Sequence, residues 1–125
     1  MPTYSYDRQL PAARLASRLV NIFNARSPVA RGPDGFYVKR EWLPLRSLQP
    51  GQVFSEGGAT IQRDVDSLVE AIRSGTRVKP LVARATKVAG RFIYSLRDGH
   101  HRVAALKQLG LTGEVLVDVW YEAEP

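Results

Sequence analysis

A small α+β domain with an N-terminal helical extension is the fold class this sequence predicts, and three observations carry that prediction. Apolar residues recur at helical spacing in three stretches, near 15–23, 65–72 and 103–109. Residues 81–85, 91–97 and 115–121 instead read as strands. The chain has 125 residues, 44% of them hydrophobic, which gives one compact core and leaves little for a second.

Residues 1–9 are polar and aromatic and have no period. Pro11 sits where the first turn of a helix tolerates it. Leu15, Leu19, Ile22 and Phe23 follow on one helical face, and Arg14 and Arg18 lie four apart on another. That helix is expected to end near Ser27–Pro28. The stretch SPVARGPDG (27–35) reads as a loop. It divides an extension, residues 1–35, from the main body, residues 36–125.

Phe36–Leu48 contains Pro44, so a strand here is short or lies at a sheet edge. Gln49-Pro50-Gly51 is a turn, and SEGGAT (55–60) reads as a flexible loop. Asp64 is expected to N-cap a helix that buries Val65, Leu68, Val69 and Ile72, and Gly75 stops it. LVARA (81–85) and RFIYSLR (91–97) form a hairpin around Val88-Ala89-Gly90. Asp98-Gly99 breaks the second strand. His101–Leu109 is helical, and Gly110 closes it. VLVDVWY (115–121) is strongly strand-forming.

The net charge is +6. Most of that excess falls in residues 1–46, while residues 113–125 hold four acids and no base. A basic front suits a polyanion such as DNA, and equally an ordinary soluble surface. Cysteine is absent, which excludes disulfides, thiolate metal sites and a cysteine nucleophile. No apolar run approaches the ~20 residues that span a bilayer. The opening MPTYSYDRQ has no apolar segment of the secretory kind, so a cytoplasmic location is expected.

The densest chemistry lies in RDGHHRVAALKQLG (97–110). A strand ends, one glycine turns the chain, and a helix starts. The first helical turn has N–H groups without an intrahelical acceptor, and the helix dipole adds positive charge there. His100, His101 and Arg102 add donors, and Gly99 allows an anion to approach the backbone. The sum is a phosphate site at a helix N-terminus, with Asp98 beside it to hold Mg²⁺ or to take a proton. The same residues also fit a plain Asp-Gly turn in which Asp98 caps the helix. Lys79, Arg63, Arg77 and Arg97 are further phosphate contacts or solvent-facing cations. Adjacent histidines rarely converge on one ion, which disfavours zinc. Trp42 and Trp120 lie beside strands and read as core or rim, and Tyr4 and Tyr6 flank the basic helix as a weak nucleic-acid hint.

DGHHRVAALKQLG resembles the signature of the ParB/sulfiredoxin superfamily, in which a G-x-x-R turn opens a helix and grips nucleotide phosphates. LPLRSLQPG (43–51) resembles that family's opening strand and turn, and DVDSLVEAIRSG (64–75) its first helix. VKPLVARA (78–85), RFIYSLRDGHHR (91–102) and EVLVDVWYE (114–122) follow in family order. The resemblance covers roughly residues 42–122.

It implies a small ParB/sulfiredoxin-like domain that binds ATP or CTP with Mg²⁺. Gly99, His100, His101, Arg102 and Lys79 would hold the nucleotide, and Asp98 the metal. The implied role is a DNA-associated switch or adaptor, with DNA contacted through the basic N-terminal region, or that region serving as a homodimer arm. The alternative is a small enzyme, either a nucleotide hydrolase or nuclease, or a free-serine kinase, with Asp98 as base.

Three departures bear on this. Sulfiredoxins carry Cys where this chain has His100, so their chemistry is excluded. Kinase relatives place a Glu after the proline that follows the first strand, where this chain reads Pro50-Gly51-Gln52; Glu56 would have to substitute. Partition-type relatives read G-E-R-R in the motif and continue into further domains, so a shortened relative is one reading, while relatives that phosphorylate free serine or hydrolyse nucleotide share the D-G-H-H-R form.

Overall fold

The computed structural model describes residues 18–49 and 62–124. Five strands form one mixed sheet: β1 (Phe36–Pro44), β2 (Leu48–Gln49), β3 (Leu81–Val88), β4 (Arg91–Asp98) and β5 (Glu114–Glu122). Their order is β1-β5-β3-β4-β2. β1 runs antiparallel to β5, β3 antiparallel to β4, and β5 and β2 lie parallel to β3 and β4 respectively. Helix α1 (Gln62–Arg73) precedes the hairpin of β3 and β4, and α2 (His100–Gln108) follows it.

β5 is an interior strand, and its sequence suits burial. Val115, Leu116, Val117 and Val119 are buried β formers. They join Leu81 and Ala83 of β3, Leu96 of β4, Val65, Val69 and Ile72 of α1, and Ala105 and Leu106 of α2 in one core. β1 lies at the sheet edge, where Pro44, its last residue, costs no ladder bond. Gln62 Nε2 donates to Asp66 Oδ1 and to Gln108 Oε1 at 2.8 and 2.9 Å, linking the two helices at the surface.

Two sequence expectations change. Residues 1–17 lie outside the described residues, but residues 18–26 do not continue a helix. They form turns, with isolated bridges from Arg18 to Glu114 and from Phe23 to Val78. Leu19 N–H bonds Glu114 O, and Asn24 N–H bonds Val78 O, at 2.9 and 2.8 Å. Phe23 is only 1% exposed and meets Trp42 edge-on at 6.4 Å. Burying Phe23 and pairing with strand ends replaces the intrahelical bonds that the spacing implied. The second change is at α1. It starts at Gln62, so Asp64 sits inside the first turn and is not its cap. Gly75 ends α1 as expected, with φ +89° and its N–H on Ile72 O.

The strap before β1 is fixed by charge. Asp118 of β5 is buried and accepts from Arg40 Nε at 2.6 Å, Arg40 Nη2 at 2.9 Å and Ala30 N–H at 3.0 Å. Arg40 also donates to the carbonyls of Ala25, Ser27 and Pro28. The hydrogen bond to Asp118 holds the Arg40 guanidinium above even its ordinary pKa.

Candidate functional site

β4 ends at Asp98 and α2 starts at His100, so Gly99 alone turns the chain. Its φ is +106°. A β-carbon there would lie 2.6 Å from Leu81 Cδ2 and 3.3 Å from Arg102 Cζ. Glycine is therefore needed for the backbone angle and for the room in which the Arg102 side chain folds back. Just ahead of the turn the β3–β4 register shifts: Val82 faces Asp98, Ala83 faces Leu96, and Arg97 is left unmatched. Such a bulge bends a strand and re-aims its end.

No side chain caps α2, and its first turn contains no acid. Val103 N–H bonds back to Gly99 O at 2.8 Å. The N–H groups ahead of it have no acceptor within the helix, and the dipole makes this end electropositive. Asp98 does not cap the helix; its Oδ2 lies 3.1 Å from Arg102 Nη2, one turn along.

Arg102 Nη1 donates to Lys79 O at 2.8 Å and Pro80 O at 2.6 Å. The guanidinium thus ties the first turn of α2 to the chain entering β3. The Arg102 side chain is 15% exposed, whereas that of Asp98 is 72% exposed. The residue picked out as an anion donor is already spent on two carbonyls and one movable carboxylate.

His101 Nε2 lies 4.0 Å from Asp64 Oδ2 on α1. The His100 imidazole is held below its ordinary pKa, chiefly by burial; His101 and Arg102 add to the effect and Asp98 opposes it. Lys79 is exposed. Lys79, Asp98, Gly99, His101 and Arg102, with Leu68 of α1, line a cleft of about 360 Å³. The structure thus gathers five of the sequence-selected residues at one cleft and sets His100 beside them.

Glu56 and Gln52 lie outside the described residues. Arg63 is exposed and 3.6 Å from Asp64, and Arg97 sits in the bulge. Among the described residues no three His, Asp or Glu side chains group as metal ligands. A larger recess of about 660 Å³, bordered by Leu45, Arg46, Lys107 and Thr112, lies at the other end of α2. Helix carbonyls, and not N–H donors, gather at that end. No helix among the described residues is long and apolar enough to cross a membrane.

Sequence reasoning missed the double duty of Arg102. The one available signal was its spacing: Asp98 and Arg102 stand four apart, the separation of a helical ion pair. The carbonyl contacts to Lys79 and Pro80 depend on chain crossing and left no local trace.

No protein-family model matches the sequence, and no curated protein matches it. Solved structures do. The N-domain of a pNOB8-like ParB aligns with a TM-score of 0.53 at 21% identity over 74% of this chain. A sulfiredoxin from Arabidopsis thaliana aligns at 0.50 and 23% identity over 65% of this chain and 83% of its own length. A conserved hypothetical protein from Pyrococcus furiosus aligns at 0.51 and 22% identity over 74% of this chain. The chain spans about a third of the ParB and Pyrococcus chains, 31% and 34%.

Proposed function

Because the chain has a ParB/sulfiredoxin-like fold, we propose that the turn at Gly99 binds the phosphates of a nucleoside triphosphate, ATP or CTP, and that occupancy makes the domain a DNA-associated switch. The observation carrying this reading is the uncapped first turn of α2 opening onto a cleft bordered by Lys79, His101 and Arg102. Backbone N–H groups and cations converging on a helix N-terminus recognise an anion.

The Asp98–Arg102 pair supplies the mechanism. With no ligand, the Asp98 carboxylate satisfies Arg102 Nη2. A phosphate oxygen arriving at the first turn takes over that donor and releases Asp98. The Nη1 contacts to Lys79 and Pro80 stay in place, so the guanidinium is already oriented. Lys79, from the rim, neutralises further phosphate charge. Among the described residues the donor set fits Mg²⁺ through the Asp98 carboxylate, with phosphate oxygens and water completing the shell. When bound, the ion would offset charge between the phosphates. The released Asp98 thereby couples binding to a local rearrangement between β4 and α2.

DNA contact would come from the basic N-terminal region, or that region would serve as an arm between two copies. In the enzyme alternative, Asp98 takes a proton from water or from an acceptor hydroxyl.

Calorimetric titration with ATP and CTP, with and without Mg²⁺, tests the proposal. Saturable binding that Lys79→Ala weakens about tenfold supports it. Equal heats for wild type and Lys79→Ala, or no binding of either nucleotide, would overturn it. Turnover on adding DNA or free serine would favour the enzyme alternative.

A further inference from the structure

At the far end of the sheet, three aromatic rings cluster, two stacked and the third edge-on to one of them. Tyr37 of β1 stacks on Tyr121 of β5 with centroids 5.4 Å apart and planes at 18°. Phe92 of β4 meets Tyr121 edge-on at 5.1 Å and 82°. Tyr121 is 8% exposed, whereas Tyr37 and Phe92 are 54% and 47% exposed. Tyr37, one face of which lies on Tyr121, and Phe92 are therefore about half open to solvent while the central ring is pinned. The pin is polar: the Tyr121 hydroxyl donates to Glu41, and burial with that bond holds the phenol well above its ordinary pKa.

The register puts cations on the same face. Lys39 lies two residues beyond Tyr37 on β1, and Lys87 pairs with Phe92 across the hairpin. Both lysines are exposed. Between the rings and the end of β5 lies a hollow of about 420 Å³, bordered by Arg84, Lys87, Glu122 and Glu124. The rim carboxylates disfavour phosphate on their side and leave Lys39 and Lys87 for the backbone. The cluster is separate from the Gly99 corner: Phe92 and Asp98 stand at opposite ends of β4, about 20 Å apart at strand rise.

We infer that this sheet end binds single-stranded nucleic acid, with one base on the open face of Tyr37, another against Phe92, and the phosphates along Lys39 and Lys87. Stacking rings flanked by cations, on a chain of net charge +6, match a polyanion whose units carry planar apolar faces. A double helix hides those faces. A protein partner would not need cations beside the rings.

The test is fluorescence anisotropy of labelled 12-nucleotide oligo-dT and oligo-rU. Tyr37→Ala and Phe92→Ala, both at exposed positions, should each weaken binding about tenfold. Lys39→Gln with Lys87→Gln should flatten the salt dependence. Tighter binding of one oligonucleotide identifies the sugar preferred. Unchanged affinity in the Tyr37→Ala/Phe92→Ala double variant, or preference for duplex over single strand, would overturn the inference. So would a wild-type dimer in sedimentation that this double variant converts to monomer, since the face would then be a self-interface. None of these outcomes depends on nucleoside triphosphate binding at Gly99.

Discussion

Two arginines in this domain do nearly the same thing in different surroundings. Arg40 ties the strap before β1 to the sheet through three backbone carbonyls and Asp118. Arg102 ties α2 to the entrance of β3 through two carbonyls and Asp98. The arginine side chains are equally enclosed, at 16% and 15% exposure, but the Asp118 side chain is 2% exposed and that of Asp98 is 72% exposed. Asp118 also takes a third hydrogen bond, from Ala30 N–H. A carboxylate so placed is a permanent part of the fold. Asp98 holds one contact from solvent and costs little to displace. The first clamp is closed; the second has one exchangeable position, and that position borders an uncapped helix.

The largest expected effect breaks the closed clamp. Asp118→Ala leaves the Arg40 charge facing a buried void and frees Ala30 N–H, and should cost about 3–5 kcal/mol in urea unfolding. A loss no greater than that of Asp98→Ala would erase the distinction between the two clamps. Gly99→Ala comes next, at about 2–3 kcal/mol, because it combines a positive φ with a clash on Leu81. Thermal melting reads it directly. Asp98→Asn sharpens the comparison from the other side. Its stability should change by less than about 1 kcal/mol. Without Mg²⁺ it should bind triphosphate at least as tightly as wild type, because a competing charge is gone, and Mg²⁺ should no longer add affinity.

The smallest effect is a pH dependence. Burial holds the His100 pKa below its ordinary value in the folded chain. As pH falls through the unfolded-state pKa of about 6.5, the unfolded chain takes up the proton first, so stability declines below that pH. His100→Gln should flatten this decline between pH 7.5 and 5.5, measured as the urea midpoint. An unaltered slope would mean that other groups carry it.

The fold was legible wherever one local rule governed. Val115–Val119 announced a buried strand, Asp98-Gly99 announced the turn, and the period in 65–72 announced α1. Residues 18–26 misled because Phe23 satisfies helical spacing and yet is drawn into the core beside Trp42. Asp118 gave no sign of its role: a lone acid in a β-branched run looks the same whether it faces solvent or a distant arginine. The site residues stood out in the sequence because they are contiguous. The bulge at Arg97 and the hold of Arg102 on Lys79 and Pro80 come from strand pairing and could not be read locally. For that reason Arg102→Ala is a poor probe of binding alone, since it removes two structural contacts along with any ligand contact.

Under the proposed function, the first turn of α2 receives phosphate and Asp98 gives way to it. Backbone amide shifts recorded during titration with ATP and CTP test this most directly. Saturable shifts confined to residues 98–103 and Lys79 are expected, with the Asp98 carboxyl carbon moving in step. Shifts centred elsewhere, or an Asp98 signal that stays still while the amides move, would contradict it.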